Sequence, residues 1–116
     1  MTRTQSTKND IRYRVLALLE KQPAMSQREL ARALGISLGG VNYCLKALID
    51  RGMIKMNNFS NSANKVAYAY LLTPQGAREK SILAGQFLIR KMHEYEALKA
   101  EIEALQLEYL DGPINK

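Results

Sequence analysis

The chain has 116 residues, of which 47% are apolar and 24% charged, and a net charge of +6. That length suits one domain with at most an added helix, and the apolar share is enough for a packed core. A single cysteine and a single histidine exclude an internal disulfide and leave no ligand set for a structural zinc site, and no stretch approaches the roughly 20 apolar residues of a membrane span.

Residues 1–6 read as a frayed tail. Over residues 7–22, Ile11, Val15, Leu18 and Leu19 share one face at helical spacing. Asn9, Arg12, Glu20 and Lys21 fall outside that stripe, and Pro23 ends the helix because it cannot continue the hydrogen-bond ladder. Ser26-Gln27-Arg28-Glu29 fits a capping box, with Ser at the N-cap and Glu at N3. Leu30, Ala31 and Leu34 form the buried face of this second helix, Gly35 suits the left-handed position after it, and Ile36 anchors the turn. Ser37 caps a third helix whose Val41, Cys44, Leu45, Leu48 and Ile49 turn inward. Gly52 closes it. Two helices joined by so short a turn have a fixed crossing angle, the physical signature of a helix-turn-helix.

After Gly52 the period changes. Residues 53–56 read as a short strand, the Asn- and Ser-rich residues 57–65 as a loop, and residues 66–72 as a second strand with Val66, Tyr68 and Tyr70 on one side. A hairpin beside three helices is a wing. Thr73-Pro74 then opens a long helix, Thr at the N-cap and Pro at the first position. It runs to about Leu110, on the order of 55 Å at 1.5 Å per residue, and stops at Asp111-Gly112-Pro113. Leu88, Tyr95, Leu98, Ile102, Leu105 and Tyr109 recur at heptad steps. Lys91 breaks one apolar position, with Met92 beside it. A helix this long cannot bury such a seam against one small domain, so a partner helix is its natural cover; the alternative is a helix folded back on its own domain.

The expected fold is therefore mainly α, an α+β winged helix-turn-helix. Residues 1–73 form the DNA-binding domain, 74–110 the dimerisation helix and 111–116 a tail. Residues 1–72 carry 11 Lys/Arg against 4 Asp/Glu, whereas residues 73–116 carry 6 against 7. The basic excess sits with the helix-turn-helix and suits a polyanionic partner, nucleic acid or an anionic membrane surface. The start, MTRTQSTKND, has no apolar run and does not read as a signal peptide, so a cytoplasmic protein is expected.

With its apolar residues turned inward, the third helix presents Leu38, Gly39, Gly40, Asn42, Tyr43 and Lys46, with Ser37 at its start. Asn42 can pair bidentately with adenine; Tyr43 can reach a phosphate or a thymine methyl, and Lys46 the backbone. Gly39 and Gly40 either let the DNA approach closely or simply relax the first turn. Gln27 and Arg28, at the N-terminus of the second helix, are placed for phosphate. At the wing tip Lys65 is the only cation among Asn57, Asn58, Asn61 and Asn64, so weak wing contact and minor-groove insertion stand level. Cys44, facing inward, reads as a small core residue rather than a redox switch. His93 has no companion ligand, and Glu94, Glu96, Glu101, Glu103 and Glu108 mark a solvated helix flank. Glu94, Glu101 and Glu108 share one heptad flank and Lys99 the other, which favours parallel pairing. No catalytic triad, phosphate-cradling loop or metal cluster appears, so neither an enzyme nor a cofactor is expected.

The run from SQRELARALGIS through LKALIDRGMI to AYAYLLTPQGAREK resembles the MarR-type winged-helix regulators of bacteria. SLGGVNYCLKALIDRG and RKMHEYEALKAEIEAL resemble the short subgroup associated with exopolysaccharide gene clusters. The resemblance spans residues 8–110. It implies a homodimeric transcription factor binding double-stranded DNA, without a membrane partner, near polysaccharide biosynthesis genes. The sequence departs from larger relatives in two ways: the wing is Asn-rich where they often carry Asp and Arg, which argues against minor-groove reading, and little precedes the first helix, which argues against a ligand pocket between dimer and DNA-binding parts. The alternative function is a winged-helix module that binds another protein through the long helix.

Overall fold

The computed structural model describes residues 3–60 and 66–111. Their elements run α1 (Arg3–Lys21), α2 (Gln27–Leu34), α3 (Leu38–Asp50), β1 (Ile54–Ser60), β2 (Val66–Leu72) and α4 (Pro74–Asp111). This is a winged helix followed by a long C-terminal helix, as the periodicities predict. Contacts divide the chain into two compact units between Ala84 and Gly85.

The first unit is built on one apolar cluster. α1 contributes Val15, Leu16 and Leu19, α2 Leu30 and Leu34, α3 Val41, Leu45 and Leu48, the hairpin Ile54 and Tyr70, and the start of α4 Leu83. Four details differ from the sequence expectation. α1 begins at Arg3 rather than at residue 7, because nothing between residues 3 and 6 interrupts the helical ladder. Its buried face includes Leu16, and Asn9, expected outside the stripe, is only 9% exposed. Asn9 lies seven residues before Leu16, two helical turns, so both fall on one face. Conversely, Ile49 is 36% exposed; it lies at the edge of the stripe that Val41, Leu45 and Leu48 define. Fourth, the strand expected over residues 53–56 runs Ile54–Ser60. Pairing with β2, with Asn57 opposite Ala69 and Asn58 opposite Tyr68, supplies the ladder that overrides the turn preference of asparagine. Among the described side chains of the hairpin, Ile54 and Tyr70 at its base are buried, while Met56 and Tyr68 are exposed.

The N-terminus of α4 clamps the turn between α3 and β1. The Thr73 hydroxyl donates to the Gly52 carbonyl at 2.5 Å, and the Gln75 side-chain amide to the Arg51 carbonyl at 3.2 Å. The Thr73 amide donates to the Met53 carbonyl at 3.0 Å. Thr73 also caps α4, its hydroxyl accepting from the Gly76 amide at 3.0 Å. The ion pair from Lys80 to Glu20, at 2.5 Å, ties α4 to α1. Residues 74–84 thus belong with the winged helix.

The second unit is the remainder of α4. All described residues from Lys91 onward are exposed. Arg90 and Lys91 lie over the Phe87 ring, 5.7 and 5.2 Å from its centroid, and Lys91 pairs with Glu94 at 3.0 Å. No described helix is long and apolar enough to cross a membrane.

Candidate nucleic-acid interface

The geometry of α2 and α3 follows from their caps. Ser26 accepts from the Glu29 amide at 3.1 Å, and Glu29 reaches back to the Ser26 amide at 3.2 Å, completing the capping box. Replacing such a cap by Ala costs about 1 kcal/mol. Gly35 ends α2 in the left-handed region, φ 68°, its amide donating to the Ala31 carbonyl. A side chain at that φ would be strained, which is why glycine holds the position. Ser37 then caps α3, accepting from the Gly40 amide at 3.0 Å. Only Gly35, Ile36 and Ser37 separate the two helices, so the buried residues on each side fix the crossing.

This packing locks one face of α3 inside and leaves the other open. Tyr43 is 74% exposed and Leu38 45%; Ser37, Gly39 and Lys46 are also exposed, and Gly40 and Asn42 half-buried. Six of the predicted positions, Leu38, Gly39, Gly40, Asn42, Tyr43 and Lys46, therefore lie on one short helix and turn toward the solvent or its edge. The two glycines differ. A Cβ on Gly39 would meet nothing within 4 Å, whereas one on Gly40 would sit 3.2 Å from the Ser37 hydroxyl. The cap explains Gly40, and no packing requires Gly39.

At the N-terminus of α2, Arg28 is exposed and Gln27 half-buried. The Gln27 side-chain amide donates to the Tyr70 hydroxyl at 3.2 Å, and the Tyr70 amide donates to the Pro23 carbonyl at 2.9 Å. Gln27 thus joins the wing to α2, a tie that its place in the capping sequence did not reveal. Lys65 lies outside the described residues, as do Asn61 and Asn64. Two further basic residues, outside the predicted set, are exposed on α2 and α1. Arg32 is exposed one helical turn from Arg28, a spacing that was available as a signal. Arg14, exposed on α1, donates to the Ala33 carbonyl at 3.4 Å, a contact between helices that no local pattern announces.

Cys44 is half-buried behind this face. Burial pushes its thiol up from the ordinary value, opposed by the nearby Arg12 guanidinium, so the reactive thiolate is scarce. Among the described residues no three His, Cys, Asp or Glu side chains come together as a metal site. Leu88, Met92, Tyr95, Leu98, Ile102, Leu105 and Tyr109 are each 46–66% exposed, an apolar seam uncovered in the single chain.

Comparison with known proteins agrees with this architecture. A family profile described as winged helix-turn-helix DNA-binding matches residues 8–55. No curated protein matches the chain. Among solved structures, the adhesin competence repressor AdcR of Streptococcus pyogenes is similar with a TM-score of 0.60 at 24% identity, over 87% of this chain and 72% of that one. The PcaV transcriptional regulator of Streptomyces coelicolor gives 0.64 at 19%, over 85% and 69%. A MarR/EmrR family transcriptional regulator from Acinetobacter sp. ADP1 gives 0.56 at 23%, over 84% and 70%. The chain has the winged helix-turn-helix fold found in these bacterial regulators.

Proposed function

We propose that the chain is a transcriptional regulator that binds double-stranded DNA as a homodimer. α3 enters the major groove, and two copies meet a pseudo-palindrome with half-sites about one turn, roughly 34 Å, apart. The observation that carries this reading is the two-faced α3: Val41, Leu45 and Leu48 are buried, while Leu38, Tyr43 and Lys46 stand exposed. A helix held that way by a short turn presents its side chains as a rigid set. The basic excess of residues 1–72 supplies the sequence-independent attraction to phosphate. The exposed seam on α4 supplies the surface for pairing. SLGGVNYCLKALIDRG and RKMHEYEALKAEIEAL favour an operator near exopolysaccharide biosynthesis genes.

The test is a footprint on the DNA upstream of the chain's own gene, with the solution mass measured on the same sample. The expected result is a protected, roughly two-fold-symmetric site and the mass of a dimer. Affinity should fall steeply with salt as counterions are released; a flat salt dependence would overturn the DNA reading. The exposed seam also favours a second reading, a winged-helix module that binds another protein through α4. A monomer without a specific DNA site would select it.

A further inference from the structure

Three successive carbonyls after α3 are held by two residues at the start of α4. The Arg51 carbonyl accepts from the Gln75 side-chain amide at 3.2 Å, the Gly52 carbonyl from the Thr73 hydroxyl at 2.5 Å and the Met53 carbonyl from the Thr73 amide at 3.0 Å. These ties are of two kinds. The Thr73 amide and the close approach of Gly76 hold Met53, and neither needs a side chain. They fasten α4 to the base of β1. The two side chains reach further back, to the C-cap of α3 and the left-handed Gly52 beside it.

Helix capping does not account for that reach. A cap needs only an acceptor at position 73, where the Thr73 hydroxyl accepts from the Gly76 amide at 3.0 Å. Asp would cap as well, but it has no proton to give Gly52. Nor does stability account for it, because both side-chain bonds lie in exposed surroundings, where the net gain is small. What the two bonds fix is direction. α3 packs chiefly on α2 and β1, and Leu38, Gly39 and Asn42 of its outward set lie toward the end far from Arg51. Over a helix on the order of 20 Å long, a swing of about 10° at the C-cap carries the far end about 3 Å, close to the rise of one base pair, about 3.4 Å. We propose that Thr73 and Gln75 are positioning residues: they fix α3 against the first turns of α4 and so set the half-site spacing that the dimer accepts. The spacing rests on the function proposed above; the fixing of α3 does not.

The experiment uses Thr73→Asp and Gln75→Glu in the full chain, singly and together. Each introduces a carboxylate, which suits a helix start, and each removes the donor. Thr73→Ser keeps both cap and donor and is the control. Gln75 is exposed, so Gln75→Glu keeps the fold even if Thr73→Asp does not. Spin labels on Lys46→Cys and Ser81→Cys, in a Cys44→Ala background, report the separation of α3 from the start of α4 without DNA. The distance distribution should broaden in the variants that lack a donor and match the parent in Thr73→Ser. Unlabelled chains are then titrated with the footprinted operator and with one carrying two extra base pairs between half-sites, which turn one half-site by about 70° and move it about 7 Å. The parent should prefer the native spacing, and Thr73→Ser should retain that preference. The double variant should lose roughly threefold to tenfold of it, the effect of one such bond. A chain that is merely less stable, or that repels phosphate, binds both operators more weakly by the same factor and keeps the preference. An unchanged distance distribution, or an unchanged preference in the double variant, would overturn the proposal. A chain that binds no DNA, yet whose distribution broadens only without the donors, would overturn the operator reading and retain the fixing of α3.

Discussion

Gly76 approaches Met53 so closely that a Cβ on Gly76 would fall 1.9 Å from the Met53 carbonyl oxygen and 2.9 Å from its carbonyl carbon. That carbonyl cannot withdraw freely, because it also accepts the Thr73 amide at 3.0 Å. The absent side chain therefore lets α4 begin directly against the base of the wing.

Gly76→Ala is expected to destabilise the winged helix by about 1–3 kcal/mol or more, the cost of overpacking against backbone. That corresponds to a fall in Tm on the order of 10 °C for a unit of this size, read by thermal circular dichroism. The same change at Gly85, where a Cβ meets nothing within 4 Å, should leave Tm unchanged or raise it, since Ala favours the helix. Equal melting of Gly76→Ala and the parent would contradict the close approach.

The bond from Gln27 to Tyr70 makes a second, separable prediction. Gln27→Ala and Tyr70→Phe each remove it, at about 1 kcal/mol in urea unfolding. In a double-mutant cycle the pair should cost clearly less than the two single effects added. DNA affinity distinguishes a tie to the wing from a direct phosphate contact. As a tie, Tyr70→Phe should weaken binding about as much as Gln27→Ala. A direct contact would leave Tyr70→Phe neutral.

Gly39 and Gly40 should respond in opposite ways. Gly39→Ala enters open space on an exposed helix and is expected to raise stability by up to about 1 kcal/mol. If the α3 backbone lies against DNA, the added methyl should lower affinity at the same time. Gly40→Ala presses on the Ser37 hydroxyl at 3.2 Å and should gain less or lose stability. Melting curves and fluorescence anisotropy on one operator fragment separate the two effects.

The parts legible in the sequence are those in which one local rule acts alone. The Ser26–Glu29 capping box, the left-handed Gly35, the Ser37 cap and the Thr73-Pro74 start each depend on residues within one turn, and each stands as predicted. Where two elements meet, local rules failed. Leu16 and Asn9 are buried because α1 packs on both α2 and β2, a wider face than the stripe through Val15 suggests. Asn57 and Asn58 are in a strand because β2 pairs with them. The Gln27–Tyr70 bond spans 43 positions, and no spacing rule reaches that far. The α3 face was legible because its inward stripe is strong enough to define its complement.

The exposed α3 residues should divide by role. Asn42→Ala, losing a base-edge contact, is expected to cost about 1–3 kcal/mol at the matching base pair and to relax specificity there. Lys46→Ala should weaken binding to all sequences alike and flatten the salt dependence by about 0.9 in log–log slope per protomer. Anisotropy titrations on matched and single-base-changed operators at several salt concentrations measure both. Unchanged binding in both variants would misplace the groove-facing side of α3.

The α4 seam yields the final prediction, on the existence and direction of pairing. Leu98 and Ile102 are exposed in the single chain, and burying either gains about 1.5–3 kcal/mol. Leu98→Lys or Ile102→Lys should convert the dimer to a monomer by sedimentation equilibrium, with the winged helix still folded. Direction is set by the flanks. In a parallel pair Glu94 faces Lys99 of the second copy, five positions on, whereas in an antiparallel pair Glu flanks face each other. Glu94→Lys should therefore weaken a parallel dimer severalfold, two lost pairs at a few tenths of a kcal/mol each and their replacement by repulsion. Glu94→Lys with Lys99→Glu should restore it. Glu94 also pairs with Lys91 within its own helix at 3.0 Å, and the double variant loses that bond equally, so restoration isolates the contact between copies. A dimer strengthened by Glu94→Lys alone would mean antiparallel helices, in which a new lysine meets an opposing glutamate.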